Sequence, residues 1–424
     1  MRKMIILANA FPYGTWEPYL ATELRYLVRK YDIYIYSLML RKEQLRTCRT
    51  IDPGIKVGKI FQRHPAVYFL WIIRVLLDVH FYEEVIYLSH AGNLNMTTVK
   101  NLCKFLSRAH YEKHQILKDV KKSWHPTIDE ELVIYAYRSE YQPYVARMVA
   151  NKFPNNNIKV ISRAHSKDLY EYRNPKNYLP CRKLTFQSVD RVYCVSDHGY
   201  QYLTNRFSKH KNKFVVSRLG VNRSGYNNSR SRSKNSQLKI ATCSALIPEK
   251  RIELLVQALK LIKNIDIDCT IFGSGPEARN IIAEVSLLGK NINVHVMGNT
   301  AWEKIMKWYS SESCDLLVNV STIEGVPVSI MEALSFGVPV MATAVGGNVE
   351  IVNDDNGILL PANPGPSLIA DALEKFASLN HKGKDSYRRN ALNSWEKNWN
   401  AEVNYSKFIL NIEELFVQSP GISV

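Results

Sequence analysis

The chain is poor in features that mark several common protein classes. Its seven cysteines are an odd number and include no C-x-x-C pair, which argues against a disulfide framework or a zinc ribbon and for a reducing compartment. The longest apolar run, residues 66–77 (AVYFLWIIRVLL), is broken by Arg74 and is too short to span a bilayer, so it reads as a buried or interfacial helix. No secretory leader is expected, because Arg2-Lys3 is followed by only MIILA before Asn9 and Pro12. The turn after that first apolar stretch lacks G-x-G-x-x-G, which removes support for a dinucleotide dehydrogenase. No His/Cys/Asp cluster stands at metal-ligand spacing.

Acidic residues are scarce in one half of the chain. Residues 1–237 carry 40 Lys+Arg against 18 Asp+Glu, a charge of +22; residues 238–424 carry 16 against 21, or −5, and the two sum to the +17 of the whole. Only the first half therefore suits a large anionic partner, either nucleic acid or anionic membrane. With 424 residues the chain is long enough for two domains, each with its own core.

What the chain does have is strands and helices in alternation. Residues 3–11, 32–40, 131–138 (ELVIYAYR), 159–164 (KVISRA), 191–196 (RVYCVS) and 213–219 (KFVVSRL) read as strands separated by helical segments, which predicts a parallel sheet covered on both faces. Residues 65–122 turn helical and basic, with Lys100, Lys104, Arg108, Lys113 and Lys118 among Leu102, Phe105, Leu106 and Ile116. That stripe is either a solvated face on a sheet or a surface lying on anionic lipid. Residues 223–237 (RSGYNNSRSRSKNSQ) lack periodicity and read as a linker. A second alternating region follows, with strands at 239–246, 268–275, 292–299 and 315–320 (DLLVNV).

The last of these strands runs into STIEGVPVSIMEALSFGVP, residues 321–339, where Glu324 and Glu332 flank seven residues. Pro327 suits the first helical position and Gly337 a helix end, so about three turns are expected between them. Among Val328, Ile330, Met331, Ala333, Leu334 and Phe336, Glu332 is the one ionisable side chain. Carboxylates on either side of a helix N-terminus suit a nucleotide sugar: free N–H groups hold the diphosphate, and the carboxylates accept from sugar and ribose hydroxyls. The plainer alternative is that Glu324 only favours the helix start and Glu332 pairs with a base elsewhere.

E-G-x-P-x-x-x-x-E-A-x-x-x-G-x-P-V, with Ser321 ahead of it, resembles the E-x7-E signature of retaining glycosyltransferases of family 4. The resemblance implies an α/β GT-B fold, two Rossmann-like doubly wound domains facing across a cleft that holds the donor. It also implies that Glu324, Gly325 and Val326 meet the donor sugar and Glu332 the ribose. The turn at Gly14-Thr15-Trp16 is similar to the family's N-terminal glycine loop, whose backbone N–H groups face donor phosphate. The run R-A-H-S-K-D-L-Y resembles the segment whose histidine, here His165, faces the sugar. Where the family offers an Arg and, five residues on, a Lys to the diphosphate, this chain has Ala245 and Lys250; Arg251, at a position where glycine is common, could supply the missing cation. Asn299 would border the base.

The expected division is residues 1–222 for a basic acceptor-side domain, 223–237 for the linker, 238–395 for the nucleotide-sugar domain and 396–424 for a helix returning to the first domain. The implied reaction moves a hexose from a UDP- or GDP-linked donor, without cofactor or metal, to a lipid-diphosphate-linked saccharide in bacterial surface-polysaccharide synthesis. The protein would sit peripherally on the cytoplasmic face of an anionic membrane, with no nucleic-acid partner. Two other classes stand beside this: an inverting GT-B transferase using His165 or Asp168 as base, and a basic nucleic-acid- or membrane-binding α/β protein without catalysis.

Overall fold

The computed structural model describes residues 1–64, 67–68, 70–123, 130–153, 157–223 and 237–417. The chain forms two compact units, Met1–Arg218 with Tyr405–Val424, and Leu219–Asn404. Residues 219–222 and 396–404 thus belong to the second unit, and most of the expected linker, 224–236, lies outside the described residues.

The first unit is built on a seven-stranded parallel sheet: β1 (Arg2–Ala8), β2 (Tyr31–Leu40), β3 (Lys56–Phe61), β4 (Leu132–Ala136), β5 (Ile158–Ala164), β6 (Arg191–Cys194) and β7 (Phe214–Val216), in the order β3-β2-β1-β4-β5-β6-β7. Met4 to Ala8 and Leu132 to Ala136 are buried throughout, as expected where helices cover both faces of a parallel sheet. β3 was not foreseen: K-V-G-K-I-F is an edge strand whose lysines look to solvent and whose Gly58 makes room for the Tyr36 ring. The final helix, Ala401–Val417, brings Tyr405 and Phe408 into this unit's core, where Phe408 meets Tyr135, Tyr193 and the Arg163 guanidinium.

The second unit holds six parallel strands: β8 (Leu238–Cys243), β9 (Ile267–Phe272), β10 (Ile292–Gly298), β11 (Leu316–Asn319), β12 (Val340–Thr343) and β13 (Gly357–Leu360), in the order β10-β9-β8-β11-β12-β13. This is the doubly wound dinucleotide-type order, with its reversal between β8 and β11. The helix Ile252–Leu261 buries Leu255, Val256 and Leu259 at the spacing that puts them on one face. Trp399 is fully buried, and Trp395 donates its indole N–H to the Val221 carbonyl.

The helix after β11 is Val328–Ser335, eight residues rather than three full turns, with Pro327 outside it at the cap. Ile330, Met331 and Leu334 are fully buried, each contributing about 1.5–3 kcal/mol. Gly337, at φ 65°, ends the helix in the left-handed region.

Candidate active site

In open parallel sheets, ligands gather at the carboxyl ends of strands where the order reverses. In the second unit that place is formed by the loops after β8 and β11. Lys250 closes the first loop and Glu324 lies on the second, with Nζ 2.6 Å from Oε1. The Ser321 hydroxyl (2.7 Å) and the Asn319 amide (3.1 Å) donate to the same oxygen. Oε1 thus takes three donors, while Oε2 receives none among the described residues.

A buried polar layer fixes this loop from behind. Thr343 donates its hydroxyl to the Ser321 carbonyl, and Asn348 donates its side-chain amide to the Thr343 carbonyl and to Asn319 Oδ1. The Thr322 N–H donates to the Glu249 carbonyl, tying the two loops together. Gly346 and Gly347 approach so closely that a Cβ on either would stand 2.1 Å from the Glu324 carbonyl oxygen or 2.2 Å from that of Gly325.

The N–H groups of Gly325, Val326, Val328 and Ser329 donate to nothing among the described residues. They cluster at the start of the buried helix, where the dipole favours an anion. One turn further along, Glu332 is buried and accepts the Trp302 indole N–H at 2.7 Å. Burial pushes its carboxyl up to about 7, with the Trp302 bond opposing. Its partner is therefore an indole, not a base.

Arg251 is occupied otherwise than expected. Its guanidinium donates to the Val320, Ser321 and Ala362 carbonyls and to Asn363 Oδ1, bracing the β11 loop instead of standing free for a phosphate. Its backbone at φ 50° lies in the left-handed region, the physical reason glycine suits the position. Asn299 is exposed just past β10.

The first unit carries a second cluster at its own reversal, between β1 and β4. The Glu17 carboxylate accepts the N–H groups of Asn9, Ala10 and Phe11 and lies 3.5 Å from Arg138 Nε. Gly14 takes φ 68°, and its N–H donates to the Thr47 carbonyl; Thr15 is exposed. Of the amides expected to face a phosphate in this loop, that of Gly14 is thus spent internally.

His165 follows β5. Its Nε2 sits 3.1 Å from the Tyr137 carbonyl, which can only accept, so Nε2 carries the hydrogen and Nδ1 is left an acceptor. Burial lowers its pKa; Asp168 opposes, and Arg138 and Arg163 add to the lowering, so the ring is neutral. Asp168 is buried and accepts the N–H groups of His165, Ser166 and Ser139. Burial would raise its pKa, but His165, Arg138 and these amides hold it below the ordinary range.

Several of these contributors were not singled out from sequence. Asn319 is hidden in an apolar run, its one signal being a polar residue at a strand's carboxyl end. Trp302 and Thr343 reach the site from other elements. Glu17, three residues past the glycine turn, had only its position to mark it.

A seven- and a six-stranded doubly wound unit, each with its polar cluster at the carboxyl ends of its strands, define the GT-B class. Residues 227–394, which lie within the second unit, match the family model for glycosyl transferases group 1. An uncharacterised glycosyltransferase of Methanocaldococcus jannaschii is 27% identical over 274 residues, 62% of this chain and 72% of that protein. The putative colanic acid biosynthesis glycosyltransferase WcaL of Escherichia coli is 24% identical over 252 residues, 58% of this chain and 62% of its own length. Among solved structures, Anabaena HepE in complex with UDP superposes with a TM-score of 0.65 at 14% identity, covering 98% of this chain and all of that one.

Proposed function

We propose that this enzyme transfers a hexose, with retention of configuration, from a nucleoside-diphosphate sugar to a lipid-linked saccharide in surface-polysaccharide synthesis. The observation that carries the reading is the convergence of Lys250 on Glu324 beside four open N–H groups, with Glu332 one helical turn behind. Lys250 and the N–H groups of Gly325, Val326, Val328 and Ser329 would hold the diphosphate. Glu324 Oε2 would accept from sugar hydroxyls and Glu332 from the ribose. His165, neutral with Nδ1 as acceptor, suits a sugar hydroxyl.

In the step proposed, the bond from the sugar C1 to the leaving phosphate oxygen breaks as the acceptor oxygen bonds C1 on the same face. The acceptor's proton passes to a leaving phosphate oxygen, so no separate base is needed. Lys250 and the N–H groups stabilise the charge that gathers on the diphosphate. HepE, solved with UDP, makes a uridine donor the first to try, and the colanic acid relative favours a polysaccharide acceptor. A lipid-linked acceptor would place the enzyme at the cytoplasmic membrane face, in keeping with the charge of residues 1–237; no helix among the described residues is long and apolar enough to cross a membrane.

Calorimetric titration with uridine and guanosine diphosphates, on wild type and Glu332→Gln, tests the donor half. Binding of one nucleotide that weakens in the variant is the expected result. Equal binding by both proteins removes ribose from Glu332, and no binding removes the donor reading.

A further inference from the structure

Large apolar side chains that look to solvent are concentrated in one short part of the first unit. Leu70, Ile73, Leu77, Val79, Ile86 and Met96 are all exposed, Leu77 at 76% and Met96 at 87%. They lie on and beside two helices, Ile72–Leu76 and Val79–His90, whose opposite faces rest on the long helix Met96–Ser123. Val75 and Leu88 point to that inner side and are fully buried. Apolar side chains gathered in this way on one outer face differ from the singly scattered ones of an ordinary surface.

The charges around it are sorted. Asp78 and Glu84 turn inward: Asp78 accepts from His110 and Tyr144, and Glu84 from Tyr178 and the Cys181 N–H. Glu83 is exposed but paired with His80. At one end, Arg74, Lys113 and Lys152 lie close enough for Lys113 to feel the other two charges. Near the other end, Lys176 is exposed and joined through its carbonyl to Asn93. An apolar face rimmed by cations is what an anionic bilayer surface complements, with the side chains entering the acyl boundary and the cations meeting headgroups.

We propose that the outer face of the helices Ile72–Leu76 and Val79–His90 is a docking surface for an anionic lipid bilayer. This deepens, and takes its purpose from, the reading of a lipid-linked acceptor. It also assigns the surface to two short helices and their rim, not to the basic stripe of residues 100–122 as a whole. Binding should need both parts, since neither a few apolar side chains nor a few cations alone hold a protein firmly on a membrane.

The test is sedimentation of the full chain with vesicles of phosphatidylcholine containing about 30% phosphatidylglycerol, or of phosphatidylcholine alone. The proteins compared are wild type, Ile73→Ser/Leu77→Ser and Arg74→Gln/Lys113→Gln. Wild type should bind the anionic vesicles, with at least about tenfold weaker binding to neutral ones, and each double variant should lose about tenfold on anionic vesicles. Unchanged melting temperatures would show that the variants still fold, since Ile73 and Leu77 are solvent-facing. Absence of vesicle binding, or equal binding by wild type and the Ile73→Ser/Leu77→Ser protein, overturns the proposal. So does a wild-type dimer in sedimentation velocity that this double variant dissociates, because the face then belongs to a second copy. Nucleotide titration of the same samples separates the two readings: vesicle binding without nucleotide binding supports the surface and sinks the transferase assignment, and the converse does the reverse.

Discussion

Lys250 Nζ and Glu324 Oε1 lie 2.6 Å apart, joining the loops on either side of the strand-order reversal in the second unit. The pair is three-quarters or more shielded from water, with side-chain exposures of 21% and 8%. Glu324 keeps Ser321 and Asn319 when Lys250 is absent, whereas the Lys250 ammonium has no second acceptor among the described residues. The pair therefore holds a cation in the place where an arriving diphosphate would need one.

Lys250→Met should lower kcat by about 10²–10³, the usual effect of removing one group that stabilises transition-state charge. The fold should survive, because two donors remain on Glu324. Initial rates with a saturating nucleotide sugar, alongside chemical denaturation, check this. A variant that loses kcat only in proportion to its stability would reduce Lys250 to a structural role.

As the proposed ribose ligand, Glu332 should make donor binding depend on pH. Its carboxyl is pushed up to about 7 in the folded protein from an ordinary value of 4.5, and only the ionised form accepts from two ribose hydroxyls. Nucleotide affinity should then rise about tenfold between pH 6 and pH 8 in wild type and stay flat in Glu332→Gln. Stability runs the opposite way. Between pH 4.5 and 7 the folded state binds a proton that the unfolded chain has released, so folding loses stability as pH rises through this window. By pH 8 the loss is on the order of 2–3 kcal/mol, and Glu332→Gln should melt higher than wild type at pH 8 but not at pH 5. Trp302→Phe, lacking the indole N–H that opposes the shift, should move the affinity midpoint further up.

The placement of Glu324 and Glu332 was legible because one strand, one turn and one helix carry both, and local spacing survives folding. The alternation of apolar runs gave the parallel sheets for the same reason. Partners that arrive from elsewhere were not legible. Trp302 meets Glu332 across 30 residues, and Asn319 is the last residue of β11, where an apolar run gave no sign that its amide reaches Glu324. Arg251 misled for a physical reason: its charge suggested a phosphate ligand, but its guanidinium is taken up by the carbonyls of residues 320, 321 and 362. Gly14 was read as an open amide donor, and Thr47 takes that donor.

The surroundings of His165 bear on which of the two stereochemical outcomes to expect. A ring held neutral by burial and by Arg138 and Arg163 is a poor proton acceptor, and Asp168 has its oxygens on three backbone N–H groups. The His165 Cε1 proton should accordingly show no titration between pH 5 and 8 by NMR. His165→Ala should lose about tenfold to a hundredfold in kcat/KM, the scale of one hydrogen bond to the sugar. The product anomer should match the donor's. An inverted product would revive His165 or Asp168 as a base and remove the same-face step.

The glycine pair behind the site separates shape from flexibility. Gly347 has an ordinary φ of −72°, so alanine there costs nothing in backbone conformation; what alanine brings is a Cβ 2.2 Å from the Gly325 carbonyl oxygen. The 325–326 turn, whose N–H groups are proposed for the diphosphate, would have to move away. Gly365 also takes an ordinary φ, −78°, and a Cβ there meets nothing within 4 Å. Gly347→Ala should therefore cost about 1–3 kcal/mol in stability and weaken nucleotide binding by at least about tenfold, while Gly365→Ala stays within about 0.5 kcal/mol and binds as wild type. Both substitutions remove one glycine from the unfolded chain, so its entropy cancels in the comparison and the difference reports the crowding behind Glu324. Equal nucleotide affinity in the two variants would mean that the 325–326 turn does not hold the diphosphate, whatever the stability difference.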